Sequence, residues 1–176
     1  MHRILIIGSP GAGKSTLARE LGGMLDLPVI HMDREYWQPG WVEPPKEEWH
    51  QRVAALVQGE RWIMDGNYGG SLKMRLSRAE RVIFMDYPRW LCLWRVVKRL
   101  RRHWGETRPD VAQGCNERGD WEFIKFVWHF NKRGRLRNYR MLGESGKMDR
   151  TVVLKSPKET REFMRRVREE EKIGKR

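Results

Sequence analysis

Thiols are nearly absent from this sequence. Its two cysteines, Cys92 and Cys115, stand apart, in no C-x-x-C pair and with no histidine at ligand spacing, which excludes a disulfide framework and a zinc site. The five histidines are equally scattered. No apolar run approaches the roughly 20 residues that cross a bilayer, so no membrane span is expected. Two residues precede the first expected strand, which leaves no room for a secretory signal and makes the cytoplasm the expected compartment. Acidic residues are also scarce: 23 Asp and Glu stand against 36 Lys and Arg, a formal charge of +13. The imbalance gathers between Arg89 and Arg140, where 14 basic side chains meet 5 acidic ones. Such a field either keeps a surface solvated or draws polyanions to it, whether nucleotide, nucleic acid or acidic lipid.

What the chain does contain is concentrated at residues 3–16. Gly8, Gly13, Lys14 and Ser15 fit G-x-x-x-x-G-K-[ST], the phosphate-binding loop known as Walker A. The apolar run Ile4-Leu5-Ile6-Ile7 before it is that of a buried parallel strand, and Leu17, Leu21, Met24 and Leu25 after it follow at helical spacing. Gly8, Ser9, Pro10, Gly11, Ala12, Gly13, Lys14, Ser15 and Thr16 are the expected cradle for ATP: glycines free successive N–H groups to point at one phosphate, and the helix start adds its dipole. Lys14 reaches the β- and γ-phosphates and the Ser15 hydroxyl ligates Mg²⁺ in such a loop.

Four further strands are expected, at 29–32, 61–65, 81–86 and 151–154, with helices over 46–58, 71–78, 89–104, 121–130 and from Pro157 onward. Alternating strands and helices of this length imply an α/β protein: a three-layer, five-stranded parallel sheet flanked by helices, in one domain over 1–176. Ligands in such sheets sit beyond the carboxyl ends of strands. Asp33 ends the second strand and suits an acceptor-side base or a Mg²⁺-water ligand, unless it only caps a turn. Asp65 ends the third and is the preferred Mg²⁺ carboxylate opposite Ser15, with Asp86 its competitor and a simple Asp-Gly turn the plain alternative. The irregular 34–45 segment carries Tyr36, Trp37 and Trp41, either a pocket for a flat or apolar group or rings that tie a long loop to the core.

Trp90, Leu93, Val97, Leu100 and Trp104 repeat at helical spacing and are expected to face the core, with Arg95, Arg99 and Arg102 gathered on the far side, either solvated or engaging phosphates. The aperiodic 105–119 stretch, the many-sided apolar helix after it, and Arg133, Arg135, Arg137 and Arg140 suggest an arginine-rich helical lid over about 104–140. Asn131-Lys132-Arg133-Gly134 lacks the Asp of a guanine-reading Asn-Lys-x-Asp, which argues against a GTPase.

With these residues in view the chain resembles the adenylate-kinase-like branch of phosphate-loop kinases, and more closely the bacterial DNA topology modulation proteins. The likeness runs through Gly8–Thr16, His-Met-Asp at 31–33, Trp-Ile-Met-Asp-Gly-Asn-Tyr at 62–68, Phe-Met-Asp-Tyr-Pro-Arg at 84–89 and Gly-Cys-Asn-Glu-Arg at 114–118. It implies a magnesium-dependent nucleotide-binding kinase, with Arg95 beside adenine, Arg99 at the transferred phosphate, and Arg133 to Arg137 near the far end of the lid. The Pro-Arg that follows the Asp-Gly of nucleotide kinases is missing after Gly66, and so is a four-cysteine lid. The expectation is an ATP-dependent transferase acting on a small-molecule acceptor, monomer or homodimer, through Lys14, Asp33, Arg99, Arg102 and Arg135. The other reading is a nucleic-acid-associated ATPase or regulator that uses the basic 89–140 surface.

Overall fold

The apolar runs close into strands, and the computed structural model describes residues 2–117, 119 and 121–174. The strands are β1 (Arg3–Gly8), β2 (Val29–His31), β3 (Trp62–Asp65), β4 (Arg81–Met85) and β5 (Thr151–Leu154). They lie in the order β2-β3-β1-β4-β5, every pair parallel. The register sets Ile6 beside Asp65 and His31 on the other side of Asp65, so the ends of three strands meet next to the phosphate loop.

Parallel strands buried on both faces need apolar side chains in both directions. Ile4, Ile6, Ile63 and Ile83 point to a layer formed by α1 (Lys14–Leu25), α5 (Arg89–Arg102) and α7 (Pro157–Gly174). Leu5, Ile7, Trp62, Met64, Val82 and Phe84 point to a layer built on α3 (Lys46–Leu56) and α4 (Gly69–Arg78). Full burial of each such side chain contributes about 1.5–3 kcal/mol. The result is the three-layer α/β arrangement expected of a phosphate-loop protein. Among the described residues, no helix is long and apolar enough to cross a membrane.

Four elements differ from the sequence expectation. The second strand stops at His31, and Met32 opens a one-turn helix α2 (Met32–Tyr36) that carries Asp33. The helix expected from Ser71 starts at Gly69, with Ser71 donating its N–H to Tyr68 O. The face of α5 is rotated: Cys92, Val96 and Leu100 are buried, whereas Trp90, Trp94 and Trp104 are 63%, 58% and 67% exposed. The cause is close approach. A Cβ on Gly11 would lie 2.4 Å from Cys92 O and 2.9 Å from a Val96 methyl, a gap that admits only small residues.

The fourth difference is the long helix α6 (Trp121–Glu144), which continues 14 residues past the expected stop at Phe130. It spans about 36 Å, and its two ends belong to different layers. Phe123, Ile124 and Val127 pack with the α1/α5/α7 side, while Tyr139, Met141 and Leu142 pack with the α3/α4 side. In the middle, the Phe130 ring lies across Gly134, where a Cβ would meet it at 2.4 Å.

The connection after α5 is irregular over 103–117, as expected, and it is tied to the segment after α2. The Gly40 N–H donates to Gly114 O at 3.0 Å, the Trp41 indole N–H to Asn116 O at 2.8 Å, and the Cys115 thiol to Gln38 O at 3.2 Å. Arg118, which closes the Gly-Cys-Asn-Glu-Arg stretch, lies outside the described residues.

Candidate active site

The loop between β1 and α1 is held by contacts that leave its amides free for a ligand. Gly8 has φ +146°, and a Cβ there would lie 2.4 Å from Met85 O. Gly13, at φ +101°, precedes α1 without any side-chain cap, so the first-turn N–H groups face outward as an anion-binding end. The Asn67 side chain clamps Gly8 from both sides: Gly8 N–H donates to Oδ1 at 3.1 Å, and Nδ2 donates to Gly8 O at 2.6 Å. Asn138 of α6, fully buried, donates to the same Oδ1 at 3.3 Å. Lys14 Nζ folds back onto Ser9 O at 3.1 Å. Burial pulls the Lys14 pKa down, while the Asp33 and Asp65 charges oppose that fall.

Two carboxylates face this loop. Asp65, 4% exposed at the end of β3, pairs with His31 Nδ1 at 2.7 Å. Burial alone would lower the His31 pKa, but the Asp65 hydrogen bond and charge together raise it. Asp33, in the first turn of α2, accepts the Tyr68 hydroxyl at 2.6 Å. Burial raises the Asp33 pKa, against the Tyr68 hydrogen bond and the Lys14 charge. That brings a carboxylate toward the range where it can accept a proton.

Tyr68 takes a left-handed conformation, φ +33°, and buried Arg75 explains how it is held. The Arg75 guanidinium donates to Gly66 O at 2.7 Å, to Asn67 O, and to Tyr68 O at 3.0 Å. Burial pushes its pKa down to about 10. Arg75 therefore fixes the turn behind Asp65 and is not a free cation for an acceptor.

The other arginines divide by placement. Arg95 Nη1 donates to Ala12 O at 3.0 Å and lies 5.4 Å from the Tyr87 ring, against the loop. Arg99 is half-buried and Arg108 more deeply so, and both approach Glu117. Arg108 also pairs with Asp110 at 2.6 Å, close to Ser15. Burial works against that carboxylate, but the Arg108 charge and its hydrogen bonds keep its pKa below the ordinary value. Two expected catalytic arginines are elsewhere. Arg102 is exposed at the end of α5, because the rotated face turns it to solvent. Arg135 is bound by Asp86 at 2.8 and 2.9 Å, with the Tyr139 hydroxyl donating to the same carboxylate. Asp86 is thereby occupied, which leaves Asp65 as the strand-end carboxylate beside Ser15's loop.

Sequence reasoning missed Asp110, Glu117, Tyr68, Asn67 and Asn138, and placed Arg108 only in a loop. The available signal was the mixed-charge Arg108-x-Asp110 and Glu117 inside an otherwise aperiodic stretch. The donors around Ser15 are a hydroxyl and carboxylates, which suit a hard cation such as Mg²⁺. Among the described residues no cluster of three or more His, Cys, Asp or Glu is placed to hold a metal alone. That fits Mg²⁺, which keeps waters and takes its remaining ligands from substrate phosphates.

No family model matches the chain. It is 29% identical, over 116 residues, to an adenylate kinase from Clavibacter michiganensis subsp. michiganensis (strain NCPPB 382). The match covers 64% of this chain and 56% of that enzyme, so little more than half of the relative's length is represented. Among solved structures it is similar to shikimate kinase from Acinetobacter baumannii in complex with shikimate, with a TM-score of 0.57 and 16% identity over 95% of this chain and 90% of that one. It is also similar to shikimate kinase from Bacteroides thetaiotaomicron, with a TM-score of 0.54 and 16% identity over 96% of both chains. At such identities the likeness is one of fold, and the fold is that of phosphate-loop kinases.

Proposed function

We propose that the protein is a Mg²⁺- and ATP-dependent phosphotransferase acting on a hydroxyl of a small molecule. The observation that carries this reading is the placement of Asp33, in the turn after β2 and bound by the Tyr68 hydroxyl at 2.6 Å, beside a complete phosphate loop whose Lys14 its charge affects. A nucleotide-phosphate cradle alone serves hydrolases as well. A half-buried carboxyl with a raised pKa beside it serves an acceptor. The aromatic cluster next to Asp33 supplies an apolar wall of edge-on and tilted rings: Tyr36 lies 4.6 Å from Tyr68 and 5.0 Å from Trp37, and Trp37 lies 5.4 Å from Trp41. The adenylate kinase likeness and the shikimate-bound structural neighbour fit this reading, and the motifs at 31–33, 62–68, 84–89 and 114–118 support membership of the DNA topology modulation family.

In the proposed reaction the acceptor oxygen bonds to the γ-phosphorus as the β–γ bridging P–O bond breaks, and ADP leaves. Asp33 takes the acceptor's proton. Lys14 and the loop amides hold the β- and γ-phosphates, Arg95 lies toward the base side, and Arg99 with Arg108 meets the charge on the moving group. Ser15 and Asp65, with Asp110 nearby, would hold Mg²⁺, which neutralises phosphate charge when bound. A panel of nucleosides, nucleoside monophosphates and hydroxylated metabolites tests for acceptor-dependent ADP release. Lys14→Ala is expected to abolish that release, and Asp33→Asn to keep Mg·ATP binding while losing turnover. Undiminished turnover in Lys14→Ala refutes the assignment.

One observation favours a second reading, a surface for nucleic acid. Several tryptophans of this basic region stand beside cations: Lys98 lies 5.1 Å from the exposed Trp94 ring, Lys125 5.9 Å from the exposed Trp121, and Arg89 4.4 Å from the half-buried Trp128. Stacking rings with interleaved cations suit single strands. ADP release that appears only with nucleic acid present, and falls steeply with salt, distinguishes this from the first reading.

A further inference from the structure

Apart from the phosphate loop itself, the densest set of buried charges is centred on Glu117. The side chain is 4% exposed, and a carboxylate taken that far from water needs opposite charge nearby. Two cations supply it from two parts of the chain. Arg99 of α5 brings its Nε to 3.2 Å from Oε1, and Arg108, from the irregular connection, brings its Nε to the same oxygen. The backbone holds Glu117 in place: its N–H donates to Glu106 O and its carbonyl accepts from Gly105 N–H, each at 2.9 Å.

Two guanidinium groups this close repel each other, and the Arg108 charge disfavours that of Arg99. One shared anion makes their proximity tolerable. Its hold is Coulombic: neither Nε is aligned as a hydrogen-bond donor to Oε1. It is also one-sided, because it acts on the Nε edge and leaves the outer Nη edge of Arg99 without a hydrogen bond among the described residues. The outer edge of Arg108 meets Asp110 at 2.6 Å, a carboxylate close to Ser15 of the phosphate loop. Arg95, one turn before Arg99 on α5, donates to Ala12 O of the phosphate loop at 3.0 Å, which sets this part of the helix against the loop, and the charge of Arg99 acts on Lys14 and Asp33.

We propose that Glu117 is a positioning residue that holds Arg99 and Arg108 side by side, so that the outer N–H groups of Arg99, with the Arg108 charge beside them, meet the negative charge on a phosphoryl group in transit; this rests on the phosphotransferase reading above. A pair set in advance stabilises the transferring state more than the bound nucleotide, because the charge it answers is greatest there. Glu117 does not touch the phosphate. Its effect is carried entirely by the two arginines.

The test is calorimetry with Mg·ADP, and with Mg·ADP plus aluminium fluoride as a mimic of the phosphoryl group in flight, on the wild-type protein and Glu117→Gln. The variant is expected to bind Mg·ADP within about 3-fold of wild type, and to lose about 10- to 100-fold of the extra affinity conferred by fluoride, with kcat falling in parallel. In an Arg99→Ala, Arg108→Ala background the same substitution is expected to change nothing further. Should Glu117→Gln not fold, as judged by its denaturation midpoint, Glu117→Asp keeps the charge but withdraws it by one methylene and is expected to give a smaller loss of the same kind. Equal loss of Mg·ADP and mimic affinity, an undiminished mimic response, or multiplying losses in the arginine background overturns the inference alone. A wild-type protein that binds no Mg·nucleotide overturns the phosphotransferase reading, and the inference with it.

Discussion

Arg75 has no solvent exposure and gives its guanidinium to three consecutive carbonyl oxygens behind Asp65. Arg75→Met retains much of the bulk and removes every donor, leaving buried acceptors unsatisfied. We expect a loss of about 3 kcal/mol in urea-measured stability, and a change below about 1 kcal/mol would show that the turn stands without it. His31 makes a second prediction, through pH. Its folded pKa lies above the unfolded value because the Asp65 hydrogen bond and charge outweigh burial. The pair's stabilisation is therefore fully present below the unfolded value of about 6.5 and is lost as pH rises through the higher folded value. In metal-free buffer the stability gap between wild type and His31→Gln is expected to narrow from pH 6 toward pH 8. A gap that widens would reverse the assignment. Of these residues, the sequence made Lys14 and Asp65 legible, because a strand–glycine–lysine run and a strand-end acid each occupy a fixed place in such a sheet. Arg75 and Glu117 were not legible, because a buried ionic side chain reads as a surface one until its partners are known.

At the level of single elements, α6 shows where periodicity fails. Its second half looked like the end of a helix because polar residues replace apolar ones. The chain needs those polar residues where it crosses the strand ends: Arg135 and Tyr139 meet Asp86, and Asn138 meets Asn67. The α5 face was misplaced for a related reason. Tryptophan dominates any hydrophobic count, yet the side of α5 against the phosphate loop has room only for Cys92 and Val96. Gly134 at the centre of α6 makes the third prediction. Alanine there is worth about 1 kcal/mol in helix propensity, but its methyl must displace the buried Phe130 ring. Overpacking costs about 1–3 kcal/mol, so Gly134→Ala is expected to be net destabilising. Pairing it with Phe130→Leu is expected to recover the loss. A stabilised single variant would mean that the ring moves freely.

For the whole molecule, +13 charges on 176 residues make self-repulsion a standing cost of the compact state. Raising ionic strength shortens the Debye length from about 30 Å at 0.01 M to about 8 Å at 0.15 M, so the thermal midpoint is expected to rise over that range. A fall would mean that the ion pairs outweigh the repulsion. The bonds from Gly40, Trp41 and Gln38 to residues 114–116 bear on traffic through the molecule. The segment that follows Asp33 and the connection that carries Arg108 are fastened together, so neither swings away alone. Acceptor and triphosphate would then enter and leave through one shared door, and a mutation that unfastens Trp41 from Asn116 should let water in from both sides at once.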